Sequence, residues 1–244
     1  KVLEVCKGRS SLIGACAERD VAISFFDERG RFWARVQGPA SGNVLLRREQ
    51  YRRAEDPEQT AAIARAVVAA KVANSRTVLL RALRDHPEMD GAEEMRAATA
   101  HMARTLKALA RDIPLDKARG YEGEAAKIYF SVFDHLIVAQ KEEFHFAGRN
   151  RRPPLDNMNA LLSFLYALLA HDTAAALEGV GLDPAVGYLH RDRPGRPGLA
   201  LDLMEELRPV IADRVALSLV NRQQVRGDGF THSETGAANM DDDT

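Results

Sequence analysis

The chain has 244 residues, of which 45% are hydrophobic and 28% charged, with 34 basic and 35 acidic side chains. This composition is typical of a soluble globular protein and excludes collagen-like, disulfide-rich and intrinsically disordered classes. The two cysteines, Cys6 and Cys16, are too few for a disulfide framework and predict a reducing, cytoplasmic location. The longest apolar run, Ala160 to Ala170, is well short of the about 20 residues of a membrane span, so no membrane segment is predicted.

Charge is unevenly distributed along the chain. Residues 228–244 contain five acidic side chains and no lysine or arginine, which leaves 34 basic and 30 acidic groups, a net charge of +4, over residues 1–227. Arginines outnumber lysines by 27 to seven, and the arginine fork suits bidentate contacts to phosphate. A GC-rich genome explains the same bias equally well, so charge alone does not identify a nucleic-acid-binding protein.

The first fifty residues predict a mixed segment. Residues Ser10 to Arg19 suit a short helix, and two β-like runs at 21–26 and 31–36 are separated by Asp-Glu-Arg-Gly at 27–30, which suits a hairpin turn. One helix and two strands are too few for an independently stable sheet. We therefore expect residues 1–50 to belong to an N-terminal β-domain whose earlier strands, together with the natural N-terminus, are missing.

From about residue 51 onward the pattern is helical. Asp56, followed by Pro57, combines a capping aspartate with proline at the first helical position and marks the start of a long alanine-rich helix. Asp116 and Asp156 are candidate caps of two later helices, and Pro209 is expected to bend the last one. The predicted helices cover approximately residues 57–84, 91–110, 117–142, 157–169 and 199–221. The predicted fold class is α+β, predominantly α, with an all-helical domain at 51–244.

Three separated places carry side chains that are able to perform chemistry. Glu122 lies near a helix start beside two glycines, His190 ends a short apolar segment, and Asp202 and Glu205 are three residues apart on one helical face. Each has an ordinary explanation: a first-turn acid favoured by the helix dipole, a partly buried histidine, and a solvated helix face. The neighbours of the last pair are mostly apolar, however, and buried acids require a partner or a metal. The residues alone allow a metal site without establishing one.

Four segments in a fixed order resemble one protein family. They are RGYEGEAAKIYF at 119–130, RRPPLDNMNALLSFLY at 151–166, GLDPAVGYLHRDRPGRP at 181–197 and LDLMEELRP at 201–209, and GNVLLR at 42–47 is a further match. Their order and spacing are similar to those of the Cas1 family of CRISPR-associated endonucleases and integrases, which act in spacer acquisition. The resemblance covers essentially the whole chain and is greatest to the branch found in type I systems of the C subtype.

The resemblance implies an N-terminal β-domain, a helical catalytic domain and a divalent ion held by a glutamate, a histidine and an acidic residue. In this sequence those residues are Glu122, His190 and Glu205. Asp202 is a nearby acid and an alternative third ligand, since many relatives carry aspartate where this chain has Glu205. An oxygen-rich set with one imidazole suits Mg²⁺ or Mn²⁺. Both chain ends depart from the family pattern, because the initial strands are absent and the chain stops in an acidic stretch.

The resemblance also suggests roles for the arginines and for one helix face. Two groups of arginines are expected to hold the DNA backbone, with solvated loops as the alternative. The groups are Arg149, Arg151 and Arg152, and Arg191, Arg193 and Arg196. Three further residues share a helix face at spacings of four and three, and are expected either to support the site or to contact DNA, unless they are ordinary polar positions. They are Asn159, Ser163 and Tyr166.

The function implied by the resemblance is that of a CRISPR adaptation integrase, a metal-dependent DNA endonuclease and strand-transfer enzyme that inserts spacers by phosphoryl transfer. Its expected partners are double-stranded or branched DNA, a second copy of the chain and a small Cas2 protein. The alternatives are a helical metal-dependent phosphohydrolase and a non-catalytic DNA-binding assembly subunit. Preference for branched DNA over a small chromogenic phosphodiester would exclude the first alternative. DNA binding that ignores chelators, without strand joining, would favour the second.

Overall fold

The described part of the chain is mostly helical, with two small antiparallel hairpins. The computed structural model describes residues 10–19, 21, 23–26, 32–36, 44–241 and 244. Its elements in chain order are α1 Ser10–Glu18, β1 Ile23–Phe26, β2 Phe32–Val36, α2 Val44–Glu55, α3 Pro57–Asp85, α4 Ala92–Leu109, α5 Leu115–Ser131, α6 Asn157–Gly179, α7 Gly198–Arg208, α8 Arg214–Asn221, β3 Phe230–His232 and β4 Ala238–Met240. The predicted α+β, predominantly α fold class is confirmed.

The N-terminal segment contains the predicted helix and hairpin. Strands β1 and β2 pair antiparallel, with Ile23 opposite Val36. The predicted turn at 27–30 and the cysteine at position 6 lie outside the described residues, whereas Cys16 carries a free thiol. The boundary of the predicted β-domain at residue 50 stays a prediction.

Most of helix α2 lies within residues 1–50, the predicted β-domain, and no helix with these bounds was predicted. Its sequence is strongly polar, and hydrogen bonds to a loop that is distant in sequence hold it in place. The Gln50 amide donates to the carbonyl of Asp183 (2.7 Å) and accepts from the backbone N–H of the same residue (2.9 Å). Arg47 donates to the carbonyl of Gly181 (2.9 Å). The hydrophobic periodicity of the sequence cannot predict these contacts, because they join positions more than 130 residues apart.

Helix α3 is the central element of the helical part. Oδ1 of Asp56 accepts from the backbone N–H groups of Glu58 (2.9 Å) and Gln59 (3.2 Å), as the capping pattern predicted. Buried side chains of α3, including Val68 and Val72, face the core, and the helix packs against α4, α5 and α7. Any polar side chain on this buried face is therefore brought to the meeting point of several helices.

Three predicted helix boundaries were wrong. Helix α5 begins at Leu115 after Pro114 and ends at Ser131, so Asp116 lies in its first turn instead of capping it. The chain then turns back through a 3₁₀ segment, Phe133–Leu136, because aromatic rings there fill the core: the tilted rings of Phe133 and Phe146 have centroids 4.9 Å apart. Helix α6 continues ten residues beyond its predicted end, to Gly179.

Helix α6 is long and apolar enough to cross a membrane by length and composition, unlike the shorter run identified in the sequence. In the fold it packs against α7 and β4 and contributes Met158, Leu161 and Leu162 to the buried core. Asp156 caps it as predicted, since Oδ1 accepts from the backbone N–H of Asn159 (2.7 Å). Core packing accounts for the buried third of its most apolar stretch.

The last predicted helix is divided at the expected proline. A π-helical segment, Pro209–Asp213, separates α7 from α8, so the bend at Pro209 takes the form of a widened turn. The acidic C-terminal segment contains the β3–β4 hairpin, which the sequence analysis did not predict. The Phe230 ring packs edge-on against Phe144 at 5.4 Å, and this contact attaches the hairpin to the core.

Two glycines allow the loop before α7 to lie directly on the start of that helix. Backbone carbonyls of Pro184 and Ala185 accept from the first N–H groups of α7 and satisfy its otherwise unpaired donors. A Cβ atom on Gly187 would lie 2.7 Å from the carbonyl carbon of Gly198, too close for any side chain. This close approach fixes the loop that carries His190.

We expect Gly187→Ala to destabilise the protein by about 1–3 kcal/mol, because the added methyl group overlaps backbone atoms that cannot rotate away. Thermal unfolding should show a melting temperature lower by several degrees. Gly120→Ala in α5 is the matched control, since its Cβ meets nothing within 4 Å and alanine favours the helix. Equal melting temperatures for Gly187→Ala and the parent would contradict the predicted overlap.

Candidate active site

Three of the predicted ligands line one cavity where α3, α5 and α7 meet. Glu122 extends from α5, Glu205 from α7 and His190 from the loop that precedes α7. The cavity has a volume of about 670 Å³. Asp202, on the α7 face that packs against this loop, lies behind His190 and is fully buried.

Asp202 holds His190 in place through both of its carboxylate oxygens. Oδ1 accepts from the backbone N–H of His190 (2.9 Å) and lies 2.6 Å from the Nδ1 atom of its ring. Oδ2 accepts from the backbone N–H groups of Tyr188 (2.5 Å) and Leu189 (2.8 Å). A carboxylate at Nδ1 favours the tautomer that carries its proton there, so Nε2 is the nitrogen with a free lone pair. Nε2 lies on the side of Glu205, at 4.0 Å from Oε1.

Lys71 of α3 places its ammonium group between Glu122 and Glu205. Nζ donates to Oε1 of Glu122 and lies 2.5 Å from Oε2 of Glu205. Only 4% of the Glu205 side chain is exposed. Burial raises the pKa of Glu205, but the charges of Lys71 and Arg208 outweigh this effect and hold the pKa below its ordinary value. Glu205 is therefore ionised at neutral pH.

The carboxylates keep acceptor capacity for a cation. Oε2 of Glu205 is buried and makes no hydrogen bond of good geometry, although the Lys71 ammonium is near it. Within the described residues, no three acidic, histidine or cysteine side chains converge closely enough to coordinate an ion as they stand. The ammonium group instead lies at the place where the Glu122 and Glu205 carboxylates meet, which shows that this place accepts a positive charge.

A second network surrounds Tyr166 of α6. The guanidinium groups of Arg149 and Arg208 lie 5.1 and 4.9 Å from the centre of its ring, so both make cation–π contacts with it. Arg208 also donates to Oε1 of Glu205. The Tyr166 hydroxyl donates to Oδ1 of the fully buried Asp213 (2.6 Å). One aromatic ring thus connects the metal-ligand candidate Glu205 to a buried carboxylate.

Asn159 and Ser163 hold Arg149 at the cavity wall. Nη1 of Arg149 donates to the side-chain oxygen of Asn159 (2.6 Å), and Nη2 donates to the Ser163 hydroxyl (3.1 Å). The buried Asn159 amide also donates to the carbonyl of Gly148 (2.8 Å), which fixes the backbone of the same loop. These two predicted residues therefore act on the position of Arg149, and neither lines the cavity.

Arginines dominate the remaining cavity wall. Four of the predicted arginines line it in addition to Arg149, and none of the four has an ion-pair partner in the part of the chain that the structure describes: Arg151, Arg152, Arg193 and Arg196. The sixth, Arg191, lies outside this cavity with Nη2 3.6 Å from Asp116. Its contact with DNA stays a prediction.

Sequence reasoning missed Lys71, Arg208 and Asp213. Arg208 is part of the quoted LDLMEELRP motif, and Asp213 lies four residues beyond its end, so an arginine one turn after Glu205 was the available signal. Lys71 has no such signal, since it belongs to an alanine-rich helix 51 residues before Glu122. Only the packing of α3 against α5 and α7 brings it to the site.

Asp213 gives the network a pH dependence. Burial raises the pKa of Asp213 to about 6, although the Tyr166 hydrogen bond and the charges of Arg208 and Lys71 act in the opposite direction. A carboxyl group whose pKa is raised on folding stabilises the protein when protonated. That contribution is largest below its ordinary value of 3.8 and is lost as the pH rises to about 6.

As the pH rises from 5 to 8, the parent must bury a charge at Asp213, and Asp213→Asn does not. We therefore expect the free energy of unfolding of Asp213→Asn, relative to that of the parent, to increase by on the order of 1 kcal/mol over this range. Chemical denaturation of both proteins at the two pH values measures this difference. Asp90→Asn, at an exposed position before α4, controls for general charge effects. A difference between parent and Asp213→Asn that does not change with pH would contradict the assignment.

The comparison with known proteins agrees with this geometry. The family model described as CRISPR associated protein Cas1 matches residues 3–244. The chain belongs to the Cas1 family. It is 52% identical to CRISPR-associated endonuclease Cas1 1 of Chlorobaculum tepidum over 98% of this chain and 71% of that protein. It is 55% identical to CRISPR-associated endonuclease Cas1 2 of Rhodospirillum rubrum over 95% of this chain and 68% of that protein.

Solved structures show the same fold. A casposase bound to integration product superposes with a TM-score of 0.78 at 27% identity, over 94% of this chain and 62% of that chain. A partial Cas6-RT-Cas1–Cas2 complex superposes with a TM-score of 0.73 at 25% identity, over 93% of this chain and 68% of the matched chain. The predicted CRISPR-associated endonuclease and integrase function is confirmed at the level of the family.

Proposed function

We propose that this Cas1 chain cleaves and joins DNA strands during CRISPR adaptation at the cavity that Glu122, His190 and Glu205 line. The observation that supports this most strongly is the combination of a buried carboxylate (Glu205), a half-buried carboxylate (Glu122) and an oriented imidazole with a wall of arginines. The acidic groups suit a divalent ion, and the arginines suit the phosphates of a nucleic acid. Membership of the Cas1 family supports the same reaction class.

The donor set fits Mg²⁺ or Mn²⁺ because it consists of hard carboxylate oxygens and one imidazole nitrogen. Glu122, His190 and Glu205 would hold the ion, and Oε2 of Glu205, now 2.5 Å from the Lys71 ammonium, is an oxygen that already faces a positive charge. When bound, such an ion polarises a phosphodiester and stabilises the attacking or leaving oxygen. The proposal covers both Mg²⁺ and Mn²⁺.

The charged side chains around the site have complementary roles in this proposal. A carboxylate about 4 Å from a DNA phosphate is repelled by about 4 kcal/mol at an effective dielectric constant of 20. Arg208 donates to Glu205, which partly neutralises that carboxylate. The arginines without ion-pair partners face the same cavity and would hold the backbone on either side of the reacting phosphate.

Asp202 supports His190 in this proposal, and Glu205 is the third ligand. All contacts of the Asp202 carboxylate go to the His190 loop, so both oxygens are engaged and fully buried. Metal-binding histidines commonly have such a carboxylate at their second nitrogen. Glu205, by contrast, lines the cavity, and its oxygens contact cationic groups there and no backbone N–H group. We therefore assign Glu205, and not Asp202, as the third ligand in this proposal.

The proposed assembly is a homodimer of this chain with a small Cas2 protein on double-stranded or branched DNA. Support comes from the structural likeness to a chain of a Cas1–Cas2 complex and to a casposase bound to its integration product. A cytoplasmic location and the type I-C branch belong to the same proposal, and both rest on the sequence analysis.

Calorimetric titration with Mn²⁺ tests the ligand set. We expect one site in the parent, no binding in Glu122→Gln or Glu205→Gln, and about 10–100-fold weaker binding in Asp202→Asn, because the latter changes only the support of His190. Glu124→Gln is the matched control, since the Glu124 carboxylate pairs with His101 (3.1 Å) away from the cavity.

Three outcomes of this titration would change the proposal. Binding that survives in Glu205→Gln but is lost in Asp202→Asn would make Asp202 the third ligand. Binding that survives in Glu122→Gln would remove that residue from the site. A folded parent that binds no Mn²⁺ would favour a non-catalytic DNA-binding subunit.

The salt dependence of DNA binding tests the arginine wall. The slope of log affinity against log salt concentration is negative. We expect Arg193→Ala and Arg196→Ala each to make it shallower by about 0.9, because each removes one phosphate contact. Fluorescence anisotropy with branched DNA measures the slopes. Arg81→Ala is the control, since Arg81 lies 3.6 Å from Asp85 on α3 and outside the cavity. Equal slopes in all four proteins would contradict phosphate contact.

A further inference from the structure

Lys71 is a buried cation on an otherwise apolar helix face. Its side chain is 10% exposed, and the buried residues before and after it on α3 include Val68, Val72 and Ser75. A lysine almost never reaches this degree of burial without paired charges. Both of its partners are proposed metal ligands, Glu122 from α5 and Glu205 from α7.

The ammonium group and a divalent ion require the same oxygen atoms. Nζ occupies the space between Oε1 of Glu122 and Oε2 of Glu205, the two carboxylates that would hold a metal. Without a cation between them, the buried Glu205 and the half-buried Glu122 carboxylates would repel each other. A cation is therefore needed between the two carboxylates, and the Lys71 ammonium and a metal ion cannot both occupy that place.

We propose that Lys71 is an exchangeable counter-cation that keeps Glu122 and Glu205 in position without metal and leaves them when the ion binds. The inference rests on the proposed metal site. Lys71 is a positioning residue in this role, because it acts through the two carboxylates. The metal must displace the ammonium, so its apparent affinity equals the intrinsic affinity multiplied by the fraction of molecules in which Lys71 is unpaired.

Substitution of Lys71 tests the exchange. Lys71→Met keeps most of the side-chain length and removes the charge, and we expect it to bind Mn²⁺ at least about tenfold more tightly than the parent by calorimetry. Its melting temperature in the presence of a chelator should fall, and the rise on adding Mn²⁺ should exceed that of the parent. A merely structural lysine would instead give equal or weaker metal binding.

Two controls separate exchange from a general effect of charge. Arg193→Met removes a positive charge from the same cavity without touching either carboxylate, so its Mn²⁺ affinity should change by less than about threefold. Lys127→Met removes an exposed lysine of α5 outside this cavity and should leave the affinity unchanged. An equal gain in Arg193→Met and Lys71→Met would overturn the proposal.

A measurement on the unaltered chain covers the case in which Lys71→Met does not fold. The chain has seven lysines, and ¹⁵N-labelled lysine allows their ammonium groups to be followed by NMR. The paired, buried ammonium of Lys71 should give a slowly exchanging signal that shifts or disappears on saturation with Mg²⁺. A signal that remains unchanged at saturation would overturn the proposal.

The results also distinguish this inference from the proposed function. If the parent binds Mn²⁺ and Lys71→Met binds it no more tightly, the exchange is wrong and the metal site stands. If neither protein binds Mn²⁺, both proposals fail. Binding by Lys71→Met alone would support competition by Lys71 but contradict the Mn²⁺ site expected in the parent.

Discussion

The geometry of the cavity depends on the buried carboxylate of Asp202. It collects three consecutive backbone N–H groups and one imidazole nitrogen from the same loop, so a single side chain on α7 fixes both the path of that loop and the direction of the His190 ring. Burial without these partners would be costly for a carboxylate. With them, the loop and the helix form one unit, and Glu205, one helical turn further on, has a constant position relative to His190.

The charges around Glu205 form a compensated set. Lys71 and Arg208 approach its two oxygens from different helices, and Tyr166 separates Arg208 from Arg149. Because the ring contacts both guanidinium groups with its faces, two like charges are accommodated close together. The result is a cavity that combines carboxylates for a cation with arginines for phosphates.

Local sequence rules predicted most of the helices, because their signals are local: Asp56 and Asp156 cap α3 and α6. The end of α5 and helix α2 were not predictable in this way. The first depends on core packing of Phe133, and the second on hydrogen bonds of Gln50. For the site, the residue pattern suggested acids and a histidine, and the family resemblance selected among them. Neither signal identified Lys71, because its ion pairs form only when α3 packs against α5 and α7.

The contact between Gln50 and the segment around Asp183 has a mechanical consequence. Asp183 lies seven residues before His190, and the Tyr188 hydroxyl donates to the carbonyl of Gln50 (3.3 Å). Helix α2 is thereby coupled to the imidazole through a short and well-anchored stretch of backbone. A displacement of α2 relative to α7 would therefore either break these hydrogen bonds or move the loop that carries His190.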